Sequence, residues 1–210
     1  MAVRTTLGVA AVAALAAAAG PAAAGPVGDP VIAVKGLIGH GGACTTARPR
    51  LVAVQDNVVS IALLPMAVRV GPAGDGAPVP EARATCSVSF RVVPPSGHDF
   101  VLRQATWRGG ADLAAGTTAY REVNYLLPGF AGEYVPARGE FAGPLTQEWA
   151  VTDELPAPGD PPQGQSVSLD VALGARAAAD AGPGSVRWVT GADGATVVLT
   201  FAVRPTGRRA

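Results

Sequence analysis

Apolar and polar side chains alternate along several stretches of this chain. At positions 86–92, a cysteine, two valines and a phenylalanine alternate with two serines and an arginine. This period of two is typical of a strand that buries one face and exposes the other. Residues 167–173 and 197–203 show the same alternation. The pattern therefore predicts three strands that each place one face against a core.

Shorter runs of strand-forming residues, separated by turn residues, predict further strands. Runs 51–54 and 58–64 flank a polar turn, which is the pattern of a β-hairpin. The strand at 86–92 and the run 99–107 flank a Pro-Pro-Ser-Gly turn, and we expect them to form a second hairpin. The remaining strand candidates are residues 31–38, 117–127, 140–146 and 149–152.

Glycine, proline and alanine mark the expected breaks. The run 99–107 is followed by a glycine pair, and residues 71–80 and 153–165 are rich in Gly and Pro, which predicts exposed loops. The one helix candidate after the leader is the alanine-rich stretch 175–181, which a Gly-Pro pair cuts to about two turns. Helix is therefore expected to be minor.

Many short strands with little helix predict an all-β fold. We expect a two-sheet antiparallel β-sandwich or jelly roll, in which the inner faces of the sheets pack about 10 Å apart. A closed barrel is the alternative. Pro128 and Pro144 favour edge positions for the strands beside them.

The N-terminal residues 1–24 are typical of a cleavable export signal. They begin with a charge at Arg4, continue with an apolar run and end at a small-residue site that predicts cleavage after Ala24. The apolar run is shorter than the roughly 20 residues that a transmembrane helix needs, so we expect a secreted, extracellular protein whose mature part spans no membrane. The predicted divisions are a signal peptide at 1–24, a linker at 25–30, a single β-sandwich domain at 31–205 and a C-terminal tail at 206–210.

Charge and cysteine content bear on the expected partners and on a disulfide. The formal net charge is zero, so no basic field exists to attract nucleic acid, and nucleic-acid partners are disfavoured. Cys44 and Cys86 are the only cysteines. In an exported chain they predict one disulfide, with two unpaired buried thiols as the alternative.

Catalytic and metal-binding constellations are weak in this sequence. His98 lies near Ser96 and Asp99, but no strand-to-helix elbow presents the serine as a nucleophile. His40 and Cys44 are too few for a zinc site, and no glycine-rich stretch has the order of a phosphate cradle. We therefore expect no catalytic residue, metal or cofactor.

Two adjacent carboxylates, Asp153 and Glu154, could suggest glycoside hydrolysis. On a strand, however, neighbouring side chains point to opposite faces, which is the wrong geometry for acting across one bond. We expect this pair to lie in a solvated loop.

Aromatic side chains with polar neighbours give the remaining candidates. Exposed rings on a β-sandwich can stack on sugars, and the possible ligand-binding residues are Trp107, Arg108, Tyr120 and Tyr125. Arg121 and Glu122 could bind sugar hydroxyls beside them. Because aromatic residues make up only 5% of the chain, the alternative that these rings fill the core is favoured.

Six short motifs, taken together, resemble the secreted DUF4360 domain of actinobacteria and fungi. They read GAC, RATC, PSG, WRG, GP and WAVTDE, at residues 42–44, 83–86, 95–97, 107–109, 143–144 and 149–154. Members of that family often carry a second cysteine pair, which this chain lacks, and a tyrosine at the place of Trp107. Since the family's function is unknown, the resemblance implies no catalytic or binding residue.

The function expected from these observations is non-catalytic ligand binding or adhesion outside the cell. An extracellular polysaccharide or cell-wall component is the candidate partner, and an extracellular hydrolase of the glycosidase type is the alternative. Three or more rings on one sheet face would support sugar binding. A cleft that holds His98 or paired carboxylates would favour an enzyme.

Overall fold

The computed structural model describes residues 32–45, 48–63, 66–73, 76–128, 130, 134–157 and 165–206. The predicted signal peptide, its cleavage site at Ala24 and the predicted linker lie outside these residues. Most of the predicted tail also lies outside them. Across this part of the chain, no helix has the length and hydrophobicity needed to cross a bilayer.

The described residues form thirteen strands and one short 3-10 turn. The strands are β1 Ala33–His40, β2 Arg50–Gln55, β3 Val58–Ala62, β4 Ala67–Ala73, β5 Gly76–Val79, β6 Glu81–Val93, β7 His98–Leu113, β8 Thr117–Leu126, β9 Tyr134–Ala142, β10 Leu145–Glu154, β11 Ser166–Ala177, β12 Gly184–Trp188 and β13 Val197–Pro205. The 3-10 turn, Gly42–Thr45, follows β1.

Two antiparallel sheets form a sandwich, as the sequence predicts. One sheet has five strands in the order β1-β6-β11-β8-β9. In the other, of eight strands, the long strand β7 is central: β10 pairs along one side of it, and β13 and β12 pair along the other. β3 and β2 extend that sheet beyond β13, and β4 and β5 extend it beyond β12.

The core lies between the sheets and is built from the alternating positions. On β6, Cys86, Val88, Phe90 and Val92 are buried, as are the matching positions 167–173 of β11 and 197–201 of β13, whereas Val203 is half-buried. These three strands are confirmed. The predicted hairpin of β2 and β3 is also confirmed, with its turn at Asp56, which has a positive φ of 53°.

A disulfide joins Cys44 and Cys86, as predicted. Their Cα atoms are 5.0 Å apart, within the usual range for a bridge. The bond ties the 3-10 turn to the inner face of β6, and both cysteines are buried in the core.

Some local predictions are wrong. β6 and β7 do not form a hairpin: β6 pairs with β1 and β11, whereas β7 belongs to the other sheet. Alternation places both apolar faces in the same core but does not say which sheet supplies each strand. The predicted loop at 71–80 contributes instead to β4 and β5. The predicted helix is also wrong, because its residues 175–177 continue β11, where Ala175 pairs with Ala82 and Ala119. Ladder pairing on both sides outweighs the helix propensity of alanine, since tertiary context routinely overrides such propensities.

The glycine pair after residue 107 does not end a strand. β7 runs through Gly109 and Gly110, because Trp149 on β10 and Trp188 on β12 both face Gly109 from the neighbouring strands. The Trp149 ring occupies the space that a Cβ at Gly109 would need. The glycine therefore makes room for two rings whose centroids are 5.4 Å apart.

Candidate functional site

A chain of hydrogen bonds crosses the interior between the sheets. The Trp107 Nε1–H donates to the Tyr125 hydroxyl oxygen at 2.7 Å, and the Tyr125 hydroxyl donates to Asp153 Oδ2 at 2.6 Å. Arg121 holds the same carboxylate through both terminal nitrogens, at 2.9 and 2.5 Å. β7 and β10 of one sheet are thereby linked to β8 of the other.

This network is almost fully withdrawn from solvent. Arg121 is 1% exposed and Asp153 is 9% exposed. Burial, followed by the negative charge of Asp153, raises the pKa of Tyr125 far above its ordinary value of 10.0. Tyr125 therefore remains a neutral hydrogen-bond donor, and the network is a structural cross-link.

The positions of Asp153 and Arg121 in the fold differ from expectation. Asp153 was expected in a solvated loop, and Arg121 among surface residues that bind hydroxyls, yet both lie in the core. Glu154 points to the opposite face and accepts a hydrogen bond from Gln104 at 2.7 Å, so the adjacent carboxylates are separated by the sheet. Of the predicted loop 153–165, the first two residues belong to β10, and residues 158–164 lie outside the described part of the chain.

The four possible ligand-binding residues do not come together. Trp107 and Tyr125 are each 0% exposed, and burial removes them from contact with an external ligand; the core alternative holds for both. Arg108 lies on the outer face of the eight-stranded sheet and pairs with Asp193 at 2.9 Å. Tyr120 is partly exposed on the outer face of the other sheet.

Tyr120 shares its face with a second tyrosine. Tyr120 on β8 and Tyr134 on β9 both point outward from the five-stranded sheet, and Tyr134 is 51% exposed. Tyr134 is opposite Leu126, six residues along β8 from Tyr120, so the two tyrosines lie about 20 Å apart along the strand direction. We call this outer surface, from Tyr120 to Tyr134, the tyrosine face.

The Tyr120 ring lies across the sheet. It occupies the space above Gly174 on β11, where a Cβ would overlap it, and the Arg138 guanidinium lies 5.0 Å from the ring centroid. Arg138 also pairs with Glu140 at 2.9 Å. A hollow of about 250 Å³ is bordered by Tyr120, Arg138, Glu140, Thr118 and Arg176.

Polar side chains continue from this hollow toward Tyr134. Ser87 donates to Asp170 Oδ1 at 2.5 Å, and the hydroxyls of Ser89 and Ser168 are 2.8 Å apart. The negative charge of Asp170, and a hydrogen bond to it, raise the pKa of the Tyr134 hydroxyl. The tyrosine face thus presents aromatic, hydroxyl and carboxylate groups on one outer surface.

His98, which the sequence places near Ser96 and Asp99, lies at the start of β7, directly after the turn. His98 Nδ1 lies 3.1 Å from the carbonyl oxygen of Ser96, an arrangement within a turn. Among the described residues, no three His, Cys, Asp or Glu side chains are grouped as metal ligands would be.

Strand parity is the signal that would have located the buried ion pair. On β8, Arg121 has the same parity as the inward residues Ala119 and Val123. On β10, Asp153 has the same parity as Trp149. Two opposite charges at core positions of two strands predict a pair.

Comparison with known proteins identifies a family but no function. A family model described as "Domain of unknown function (DUF4360)" matches residues 32–205. No curated protein and no solved structure matches the chain significantly.

Proposed function

This chain belongs to the DUF4360 family of domains of unknown function, and from its geometry we propose that it is an extracellular, non-catalytic binding domain that holds a polysaccharide on the tyrosine face. The carrying observation is that two rings, Tyr120 and Tyr134, share one outer face with polar side chains of the neighbouring strands β6 and β11. This is one ring fewer than the three that the sequence-based expectation set as support for sugar binding. The disulfide is consistent with an oxidising, extracellular environment.

An extended polar ligand suits this surface better than a compact apolar one. Beside the tyrosines, β6 and β11 offer serine hydroxyls and the Asp170 carboxylate, and β8 offers the Asn124 amide. These groups exchange hydrogen bonds with sugar hydroxyls. The hollow beside Tyr120 adds Arg138 and Glu140 at one end. A sugar unit in that hollow contacts the ring edge and the guanidinium, because Arg138 covers the outer ring face.

Binding of the mature protein to a panel of cell-wall and plant polysaccharides tests this proposal. We expect at least one polysaccharide to retard the protein in affinity electrophoresis, and Tyr134→Ala to weaken that binding about fivefold or more, since loss of a stacking ring costs about 1 kcal/mol or more. Leu51→Ala, which removes an exposed apolar side chain from the other sheet, is the matched control.

Tyr120 needs a milder variant because its ring packs on Gly174. Arg138→Gln keeps the ring and removes the guanidinium above it, and should also weaken binding. Binding that is indifferent to both Tyr134→Ala and Arg138→Gln would show that the tyrosine face is not the site.

A further inference from the structure

A second concave surface lies on the outer face of the eight-stranded sheet, on the opposite side of the sandwich from the tyrosine face. It is a groove of about 620 Å³, within the range of small-molecule sites. We name it the bipolar groove. Its principal lining residues are Arg69, Pro72, Asp112, Thr146, Pro183 and Ser185.

Strand register arranges four of these residues in one row. Arg69 on β4 is opposite Ser185 on β12, Ser185 is opposite Asp112 on β7, and Asp112 is opposite Thr146 on β10. Arg69 and Asp112 are thus two strand spacings apart, or about 10 Å between backbones. A cation stands at one side of the groove and an anion at the other, with hydroxyl groups beside them.

The neighbouring row repeats this polarity. Arg187 on β12 and Glu148 on β10 are separated by Gly110 of β7. The guanidinium of Arg187 lies close above Gly110, about 3.2 Å from the position that a Cβ would take. Both rows therefore place arginine on the β4 and β12 side and a carboxylate on the β7 and β10 side.

The lack of a salt-bridge partner distinguishes these four charges from three arginines of the tyrosine face. On the tyrosine face, Arg83, Arg138 and Arg176 each pair with a glutamate. Within the part of the chain that the structure describes, Arg69, Arg187, Asp112 and Glu148 make no salt bridge. Thr146 donates to Asp112 Oδ1 at 2.8 Å, which orients the carboxylate and leaves Oδ2 for another donor.

We propose that the bipolar groove binds a short peptide with free termini, its carboxylate on Arg69 and its ammonium group on Asp112. A guanidinium holds a carboxylate through two parallel hydrogen bonds, and Asp112 accepts from the ammonium group. Two to three extended residues, at about 3.3–3.6 Å each, span the separation between the two side chains. The hydroxyl of Ser185, which is between Arg69 and Asp112 in this row, lies beside the peptide bonds of the ligand.

Isothermal titration of the full mature protein with trialanine tests the assignment. We expect saturable binding that weakens with added salt, and about tenfold weaker binding when the peptide is N-acetylated or C-amidated, since each cap removes one charged contact. Arg69→Gln and Asp112→Asn should each weaken binding to a similar degree. Near-UV circular dichroism confirms that the variants are folded.

The matched controls are substitutions of exposed charged residues that lie outside both the bipolar groove and the tyrosine face. Arg204→Gln and Glu154→Gln should leave trialanine binding unchanged, and Tyr134→Ala should do the same, which separates this groove from the proposed polysaccharide site. The assignment is overturned if trialanine shows no saturable binding, if capped and free peptides bind equally, or if Arg69→Gln has no effect.

Discussion

The Tyr125 hydroxyl on β8 donates a 2.6 Å hydrogen bond to Asp153 on β10, and this contact joins the two sheets through the middle of the core. It exists because Arg121 neutralises the carboxylate, and because Trp107 supplies a donor to the same hydroxyl. A buried carboxylate without these partners would be strongly unfavourable. The four side chains therefore depend on one another.

Removing one charge of this pair should cost more than removing both. Asp153→Ala leaves Arg121 buried without a partner, and we expect the free energy of unfolding to fall by about 3–5 kcal/mol. The double variant Arg121→Met with Asp153→Leu replaces both charges by apolar groups and should recover most of this loss. Urea unfolding curves of both variants measure the difference.

The exposed pair Arg138–Glu140 is the matched control, since both side chains are more than half exposed. Arg138→Ala should lower the unfolding free energy by less than about 1 kcal/mol. Equal losses for Asp153→Ala and Arg138→Ala would contradict a buried, mutually dependent pair.

Tyr125 should make stability depend on pH in the alkaline range. Its pKa is raised in the folded protein, so as pH rises past 10 the unfolded chain releases the tyrosine proton while the folded protein keeps it. The unfolding free energy then decreases, by roughly 1.4 kcal/mol per pH unit from this group. Chemical denaturation between pH 9 and about pH 11 measures the slope.

Tyr125→Phe should be less stable at neutral pH but should have a shallower alkaline slope, because the titrating hydroxyl is absent. The same slope in the wild type and in Tyr125→Phe would show that this hydroxyl is not responsible. Tyr134→Phe removes an exposed hydroxyl and should keep the Tyr125 contribution.

Sequence alternation was sufficient to predict the sandwich, but not to predict which sheet each strand joins. The period of two on β6, β11 and β13 identified which side chains enter the core, because inward positions must be apolar in both sheets. It could not distinguish a hairpin of β6 and β7 from a crossing between sheets, since both arrangements bury the same residues. That choice depends on long-range pairing, which no local pattern records.

The candidate sites show the same limit. Trp107 and Tyr125 looked like ligand-binding residues because composition does not reveal which face a ring occupies. Tyr134 and Arg69 carried no distinguishing local pattern, and their importance comes from the residues that the register places beside them: Arg69 faces Ser185, and Tyr134 faces Leu126. Register is a property of the folded sheet.

The disulfide should be a major support of the N-terminal region. Cys44 and Cys86 are 42 residues apart in sequence, so the bridge restricts a long loop of the unfolded chain. We expect Cys44→Ala with Cys86→Ala to lower the unfolding free energy by about 2–4 kcal/mol. Thermal melts of the double variant and the parent, each with and without reductant, measure this.

Reductant should lower the melting temperature of the parent toward that of the double variant and should leave the double variant unchanged. If the double variant melts at the same temperature as the oxidised parent, the bridge contributes nothing to stability.

The glycine pair of β7 offers a test of the core at two consecutive positions. Gly109 faces inward beneath the Trp149 ring, and Gly110 faces outward beneath the Arg187 guanidinium. A methyl group at position 109 would overlap a ring that is held between Phe141 and Trp188, so Gly109→Ala should lower the unfolding free energy by about 1–3 kcal/mol, or more if the ring cannot move.

Gly110→Ala is the matched control, because it adds the same methyl group to the same strand and meets only the end of a flexible side chain. The alanine also restricts the unfolded chain, which favours folding by about 0.4–1 kcal/mol where the backbone conformation allows it. We therefore expect Gly110→Ala to be neutral or slightly stabilising, and urea denaturation of both variants to separate them clearly. Equal effects at the two positions would mean that the Trp149 ring does not lie over Gly109, and that the passage of β7 through the glycine pair needs another explanation.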